Sequence, residues 1–473
     1  MLYALHCIIT ALVFIIFCPA GIPQAVADSY SGQALHRRPA LRQFWRKLEE
    51  ELKEEVTELE PEWFQKKHLS GDWLGQRSTL AAWGITPTLT YTSDVLGNPV
   101  GGKRQGIAYD HNIGVDINVD LEQLASLEGL VFQVSAAWRS GKNLSSTAID
   151  NTFIASNLFG GETLRLYNLS LEKSLFAGKL SILLGRIGAG DEFLTSPLYS
   201  IFVNNAINGN PISVPINIPA FSSYPIAQWG FRLAVRPVPE WYIMTGVYNG
   251  DRTADHSSNH GADFSFRHNT DIFTISEIGY LYNQREDSSG LPGNYKFGGY
   301  YDAGPFPDLT QDDPSGSRTS SGRPPHLHHE NYGFYILADQ QVYREIDAKD
   351  NQGLTLFAGA TFAPPDINTF PFFFMSGGVY HGPIPGRDRD TVGFGIAYGK
   401  FSNELDTARR KKPHFHDAAV DGEDFEILTE LTYQFELAPH FIVQPGIYYI
   451  IQPKGRSEVA NALVLGLQLA LNL

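Results

Sequence analysis

The sequence predicts an all-β protein, a transmembrane antiparallel barrel of about 16 strands with a short N-terminal α-helical segment. Three observations predict it: period-two alternation in segments too long for a soluble sheet, low average hydropathy, and an alternation of long and short connections. The chain has 473 residues, is 43% hydrophobic and 18% charged, and contains 45 glycines, 22 tyrosines and 30 phenylalanines. A mean hydropathy of −0.18 excludes an α-helical membrane bundle, and the composition excludes collagen, disorder and a coiled-coil rod. In a closed barrel the backbone groups pair between strands, so only alternate residues need be apolar and mean hydropathy stays low.

The N-terminus reads as an export signal. An apolar core from Ile8 to Cys18 is followed by Pro19, Gly21 and Pro23, then by Ala25-Val26-Ala27, a small-x-small cleavage site. Residues 1–27 are therefore expected to be removed. No Lys or Arg precedes the core, an atypical feature, and Ile15-Ile16-Phe17 does not support lipid attachment at Cys18. Residues 28–67 form an expected periplasmic extension. Within it Leu41, Phe44, Leu48, Leu52, Val56 and Leu59 recur at helical spacing among six glutamates, which predicts an amphipathic helix over 41–65. Three heptads are too few to argue an oligomer, and a helix folded on its own protein is favoured over a docking element.

The expected barrel occupies 68–473. Its clearest strand is the last, where Leu463, Leu465, Leu467, Leu469, Leu471 and Leu473 alternate with small or polar residues. About eleven residues is the length a tilted strand needs to cross hydrocarbon, twice the usual soluble strand. The same alternation places strands at 85–93, 108–121, 130–139, 164–173, 179–187, 227–236, 240–250 and 271–282. It continues at 293–302, 331–339, 354–362, 372–380, 390–400, 426–437, 440–451 and 461–473. Long connections alternate with short ones, except that 363–371 and 381–389 are equal. Pro237-Val238-Pro239 and Ala438-Pro439 mark tight turns. External loops longer than periplasmic turns are a property of outer-membrane barrels. Tyr280, Tyr282, Tyr300, Tyr301, Tyr448, Tyr449 and Phe372-Phe373-Phe374 lie near strand ends, as aromatic girdles do, although adjacent pairs cannot both face outward.

The motifs Leu69-Ser70-Gly71-Asp72-Trp73 with Arg77, Leu80 and Gly84-Ile85 resemble the opening of the carbohydrate-selective porins, the OprB family. Gly185-Arg186 through Asp191-Glu192-Phe193, Ser223-Tyr224-Pro225, Gly246 to Asp251, Asp339-Gln340 with Tyr343-Arg344, and Glu430 with Tyr433 follow in the family's order. The resemblance implies a sixteen-stranded outer-membrane barrel through which sugars such as glucose diffuse passively, past a constriction narrowed by inward-folded loops. Two departures stand out: the chain ends on Leu473 rather than an aromatic residue, and the acidic helix is extra.

A neutral sugar is selected by hydroxyl hydrogen bonds and aromatic stacking, so polar residues on the face away from lipid are the candidates. Strand parity nominates Arg139, Arg232, Arg236, Glu277, Lys296 and Glu430; the bland reading is a ladder of wall charges. The longest connection, Gly188 to Ile226, carries Glu192, Phe193, Tyr199, Asn204, Asn205 and Tyr224 and either folds into the lumen or forms an external cap. The expected partners are small sugars, outer-membrane lipid and lipopolysaccharide, and the outer-membrane assembly machinery; Arg409-Arg410-Lys411-Lys412 is the candidate lipopolysaccharide contact. Nucleic acid is not expected at a net charge of −15. His326, His328 and His329, with His414 and His416, read as solvated loop residues, so no metal and no cofactor is expected. No nucleotide loop or hydrolase motif is present, and the adjacency of Asp191 and Glu192 does not make a glycosidase, so no enzyme is expected. The competing readings are a general or ion-selective porin of the same architecture and a secreted carbohydrate-binding or hydrolytic β-protein.

Overall fold

A computed structural model describes residues 66–473 apart from 160, 268–270, 286–287, 289, 313–315, 318–324, 346–351 and 406–423. The expected signal peptide at 1–27, the expected helix at 41–65, the basic run at 409–412, His414 and His416 lie outside the described residues.

The strands follow in chain order: β1 (Ile85–Gly102), β2 (Gly106–Asp120), β3 (Leu130–Gly141), β4 (Thr163–Leu175), β5 (Leu180–Ile187), β6 (Gln228–Val238), β7 (Trp241–Asn249), β8 (Ile272–Tyr282) and β9 (Gly293–Asp302). Next come β10 (Phe306–Asp312), β11 (Gly316–Ser317) and β12 (Pro325–His328), then β13 (Asn331–Arg344), β14 (Gly353–Phe362), β15 (Phe372–His381), β16 (Thr391–Lys400), β17 (Phe425–Ala438), β18 (Phe441–Ile451) and β19 (Ala460–Asn472). All but β10 to β12 form one closed antiparallel barrel of sixteen strands, each paired with its neighbour in sequence and β1 closing on β19 from Thr90↔Asn472 to Gly102↔Ala460. Closure leaves no edge strand, the condition for crossing lipid without unpaired backbone groups.

The alternation sorts the two faces. On β19, Leu467 faces out while Ala462 and Val464 are buried and Gln468 donates inward to Asp94 at 2.8 Å. On β8, Ile278 is exposed and Glu277 buried; on β17, Leu431 is exposed and Glu430 buried. Among adjacent aromatics, Tyr301 and Tyr449 face out, whereas Tyr300, Tyr448 and Phe373 are buried inside and belong to no girdle.

Two elements differ from expectation. β1 runs past residue 93 to Gly102, leaving only 103–105 as the first connection. Asp94 and Asn98 resemble turn residues but point inward, where Asn98 donates to the Gly101 and Arg104 carbonyls at 2.9 and 2.8 Å. Gly101 and Gly102 end the strand at positive φ, and a Cβ on Gly101 would lie 1.7 Å from the Asn461 carbonyl oxygen. The long connection after β9 contains its own sheet, in the order β11-β10-β12.

A helix, Gln76–Ala82, precedes β1 and ties the two ends of the barrel together. Arg77 stacks on the Trp73 ring at 4.2 Å and donates to the Leu473 carbonyl at 2.9 Å, while the Leu473 amide donates to Leu89. The opening motif thus holds β19 at Leu473.

Candidate functional site: an inward loop and the polar track beside it

The connection between β5 and β6 decides the lumen. It carries short helical turns at Ala189–Glu192, Pro197–Ile201 and Ser213–Asn217, and Phe193, Leu194, Tyr199, Ala206, Ile207, Val214 and Ile218 are fully buried. A Cβ on Gly395, in the middle of β16, would lie 2.7 Å from the Ile207 side chain and 2.8 Å from the Phe202 ring, so the connection lies inside the barrel. Its bonds to the wall run around the circumference. Glu277 on β8 accepts the Leu194 amide at 3.3 Å, and Lys296 on β9 donates to the Thr195 carbonyl at 2.7 Å. Ser196 donates to Asp339 on β13 at 2.7 Å, and Ser213 pairs with Thr361 on β14 at the same distance. Glu430 on β17 accepts the Val203 amide at 2.9 Å, the Asn204 amide at 3.0 Å and the Asn204 side-chain amide at 2.6 Å. Gln444 on β18 donates to the Ile201 carbonyl at 2.7 Å.

Glu277 and Glu430 therefore sit behind the loop rather than on open lumen. A buried carboxylate that accepts several N–H groups is satisfied, and it satisfies donors an irregular segment would otherwise leave unpaired. Glycines make room for the clamp at Glu277: a Cβ on Gly298 would lie 2.1 Å from the Tyr335 ring and one on Gly279 2.1 Å from the Tyr242 ring. Those two hydroxyls donate to Glu277 at 2.9 and 2.8 Å. A second connection, between β3 and β4, joins the plug. Glu426 accepts the Thr152 and Phe153 amides, and Asn205 donates its amide to the Ile154 carbonyl at 2.9 Å.

The other parity candidates border the opposite wall. Arg139 on β3 donates to Asn112 at 3.4 Å and lies 4.8 Å from the Tyr224 ring, whose hydroxyl donates to Asn112 at 3.2 Å. Tyr167 on β4 packs edge-on to Tyr224 with ring centres 4.9 Å apart and donates to Asp191, which is exposed to the lumen; Asp116 and Glu192 are its neighbouring charges. Arg232 on β6 bridges Glu192 at 2.7 Å and Glu172 at 3.0 Å and donates to Ser181 at 2.6 Å. Arg236 is exposed at the end of β6 and lines an open cleft with Glu172, Arg232 and Tyr242. Of the loop candidates, Phe193, Tyr199 and Asn204 are buried inside the plug, Asn205 is half-buried at the junction of the two loops, and Glu192 and Tyr224 border the track.

The site candidates read from the sequence leave out Asn112, Tyr167, Glu172 and Glu426, and Asp339 enters there only within a family motif. Asn112 was readable from the inward row of β2. Tyr167 and Glu172 were not, because a register shift between β3 and β4 moves the inward row of β4 from odd to even positions.

A closed sixteen-stranded cylinder with a polar interior, an apolar exterior and a loop folded into its lumen is an outer-membrane porin. The chain belongs to the carbohydrate-selective porin OprB family, whose model matches residues 104–473. It is 27% identical to Porin B of Pseudomonas aeruginosa over 420 residues, 85% of this chain and 90% of that one. The fold is similar to OprB of Pseudomonas putida in its high-pH structure, with a TM-score of 0.81 and 26% identity over 86% of this chain and 99% of that one.

Proposed function

We propose that glucose-like sugars cross passively along the track from Arg139 and Tyr224 through Asp191 and Glu192 to Arg232 and Arg236. The observation that carries this reading is the placement of the 188–227 connection, which fastens to β8, β9, β13, β14, β17 and β18 and turns Asp191, Glu192 and Tyr224 toward polar residues of β2, β4 and β6. Guanidinium groups on either side of the Asp191 and Glu192 carboxylates supply donors and acceptors along the track, and the Tyr224 ring supplies an apolar face. A sugar hydroxyl can exchange one hydrogen bond for the next without full desolvation. No bond is made or broken in this transport, and the protein acts as a channel rather than an enzyme. The wider reading of the chain places a removable signal at 1–27, a periplasmic extension at 28–67, and lipopolysaccharide and the barrel-assembly machinery as partners of the outer face and strands.

Liposome swelling tests the sugar reading. The expected result is faster swelling in glucose than in an organic anion of equal size, with glucose flux changed in Arg232→Ala while the heat-modifiable folded band is retained. Equal rates for both solutes and no change in the variant would favour a general porin.

A further inference from the structure

We infer that the external loop sheet holds a divalent transition metal between Asp308, His328 and Asp366. The three residues come from separate segments, β10, β12 and the connection after β14. His328 Nε2 lies 3.1 Å from Asp308 Oδ2 and 3.8 Å from Asp366 Oδ2, and one ligand atom from each residue falls within 4.8 Å of the others. A tetrahedral zinc ion with bonds of about 2.1 Å separates its ligand atoms by about 3.4 Å, so the trio needs only small side-chain adjustments to close on one ion.

The backbone holds the ligands in place independently of any ion. The Leu309 amide donates to the Asp366 carbonyl at 3.0 Å, and Phe306 pairs with His328 across β10 and β12. The Asp308 side chain is 4% exposed, with Oδ1 accepting the Thr310 amide at 2.8 Å and Oδ2 turned to His328. A backbone hydrogen bond to one carboxylate oxygen orients the other, as second-shell bonds do in metal sites. Asp366 remains 46% exposed, which gives an entry path. His326, two residues earlier on the same strand face, has its ring centre 5.1 Å from that of His328 and is a further imidazole beside the site. An imidazole with two carboxylates selects zinc-like cations over calcium or magnesium, which prefer all-oxygen sites. The occupied site would pin the β10–β12 sheet to the 363–371 connection.

The test uses the full chain in detergent, stripped with a chelator, desalted and titrated with Zn²⁺ by calorimetry, with bound zinc measured by mass spectrometry. The expected result is one equivalent in the parent, beyond any bound by the variants, that is lost, or weakened at least tenfold, in His328→Gln and Asp308→Asn, with His329→Gln like the parent. His414 and His416 remain in every variant, so any zinc they hold cancels. The heat-modifiable band reports folding, and Asp366→Asn, at the exposed ligand, serves if Asp308→Asn does not fold. Parent-like binding in folded His328→Gln, no bound zinc in the parent, or displacement of zinc by millimolar Mg²⁺ or Ca²⁺ would each overturn the inference.

Discussion

At the scale of the residue, an inward carboxylate serves different ends according to what it faces. Glu430 meets backbone amides and behaves as a fastener; Glu192 meets Arg232 and keeps 23% of its side chain exposed. Glu430→Ala leaves the Val203 and Asn204 amides unpaired, each at a cost of about 1–3 kcal/mol. The expected outcome is a loosened loop, read as a larger and noisier single-channel conductance with the barrel still folded. Tyr224→Ala removes one hydroxyl and one ring from the track. It should weaken glucose block of the ion current about fivefold, corresponding to about 1 kcal/mol; unchanged block would remove Tyr224 from the route.

At the scale of the element, loops are held by local devices of differing strength. Gly298 and Gly279 are seats for Tyr335 and Tyr242, so Gly298→Val should displace Tyr335 and release Glu277, accelerating proteolysis within 188–227 relative to the parent. In the loop between β7 and β8, the Ser265 hydroxyl and amide, with Arg267, hold the Asp263 carboxyl down to about 2. A depressed carboxyl contributes above its ordinary value near 4 and loses that contribution as pH falls through the folded value. The Asp263 turn is therefore expected to persist at pH 4 and to be lost near pH 2, followed by carbon NMR of the Asp263 carboxyl.

At the scale of the whole molecule, the outer wall obeys the solvent it faces. Leu431 is exposed on the lipid side one residue from buried Glu430. Leu431→Arg should destabilise the folded barrel by up to about 2–4 kcal/mol if the residue lies at the bilayer midplane, measured by denaturant unfolding in lipid, whereas a substitution at Arg236 should not. The family match and the closed sheet agree on the same object: a wall that is apolar outside, polar inside and partly filled by its own loop.

The period of the alternation was legible in the sequence because a barrel strand meets two unlike media. Each residue on β19 declares its face by whether it is leucine or a small or polar neighbour, and the same parity singles out Arg139, Arg232, Glu277 and Glu430, whose side chains are buried away from the lipid face. Parity says which side a residue faces and nothing of what stands opposite it. Whether Glu277 and Glu430 border open lumen or a loop depends on contacts across the barrel, between segments as far apart as Val203 and Glu430. The register shift in β4, the extension of β1 and the meeting of Asp308, His328 and Asp366 likewise arise from pairing between distant strands and loops. Face preference is a local property set by solvent; the plug, the track and the loop cluster exist only once closure brings remote residues to one place.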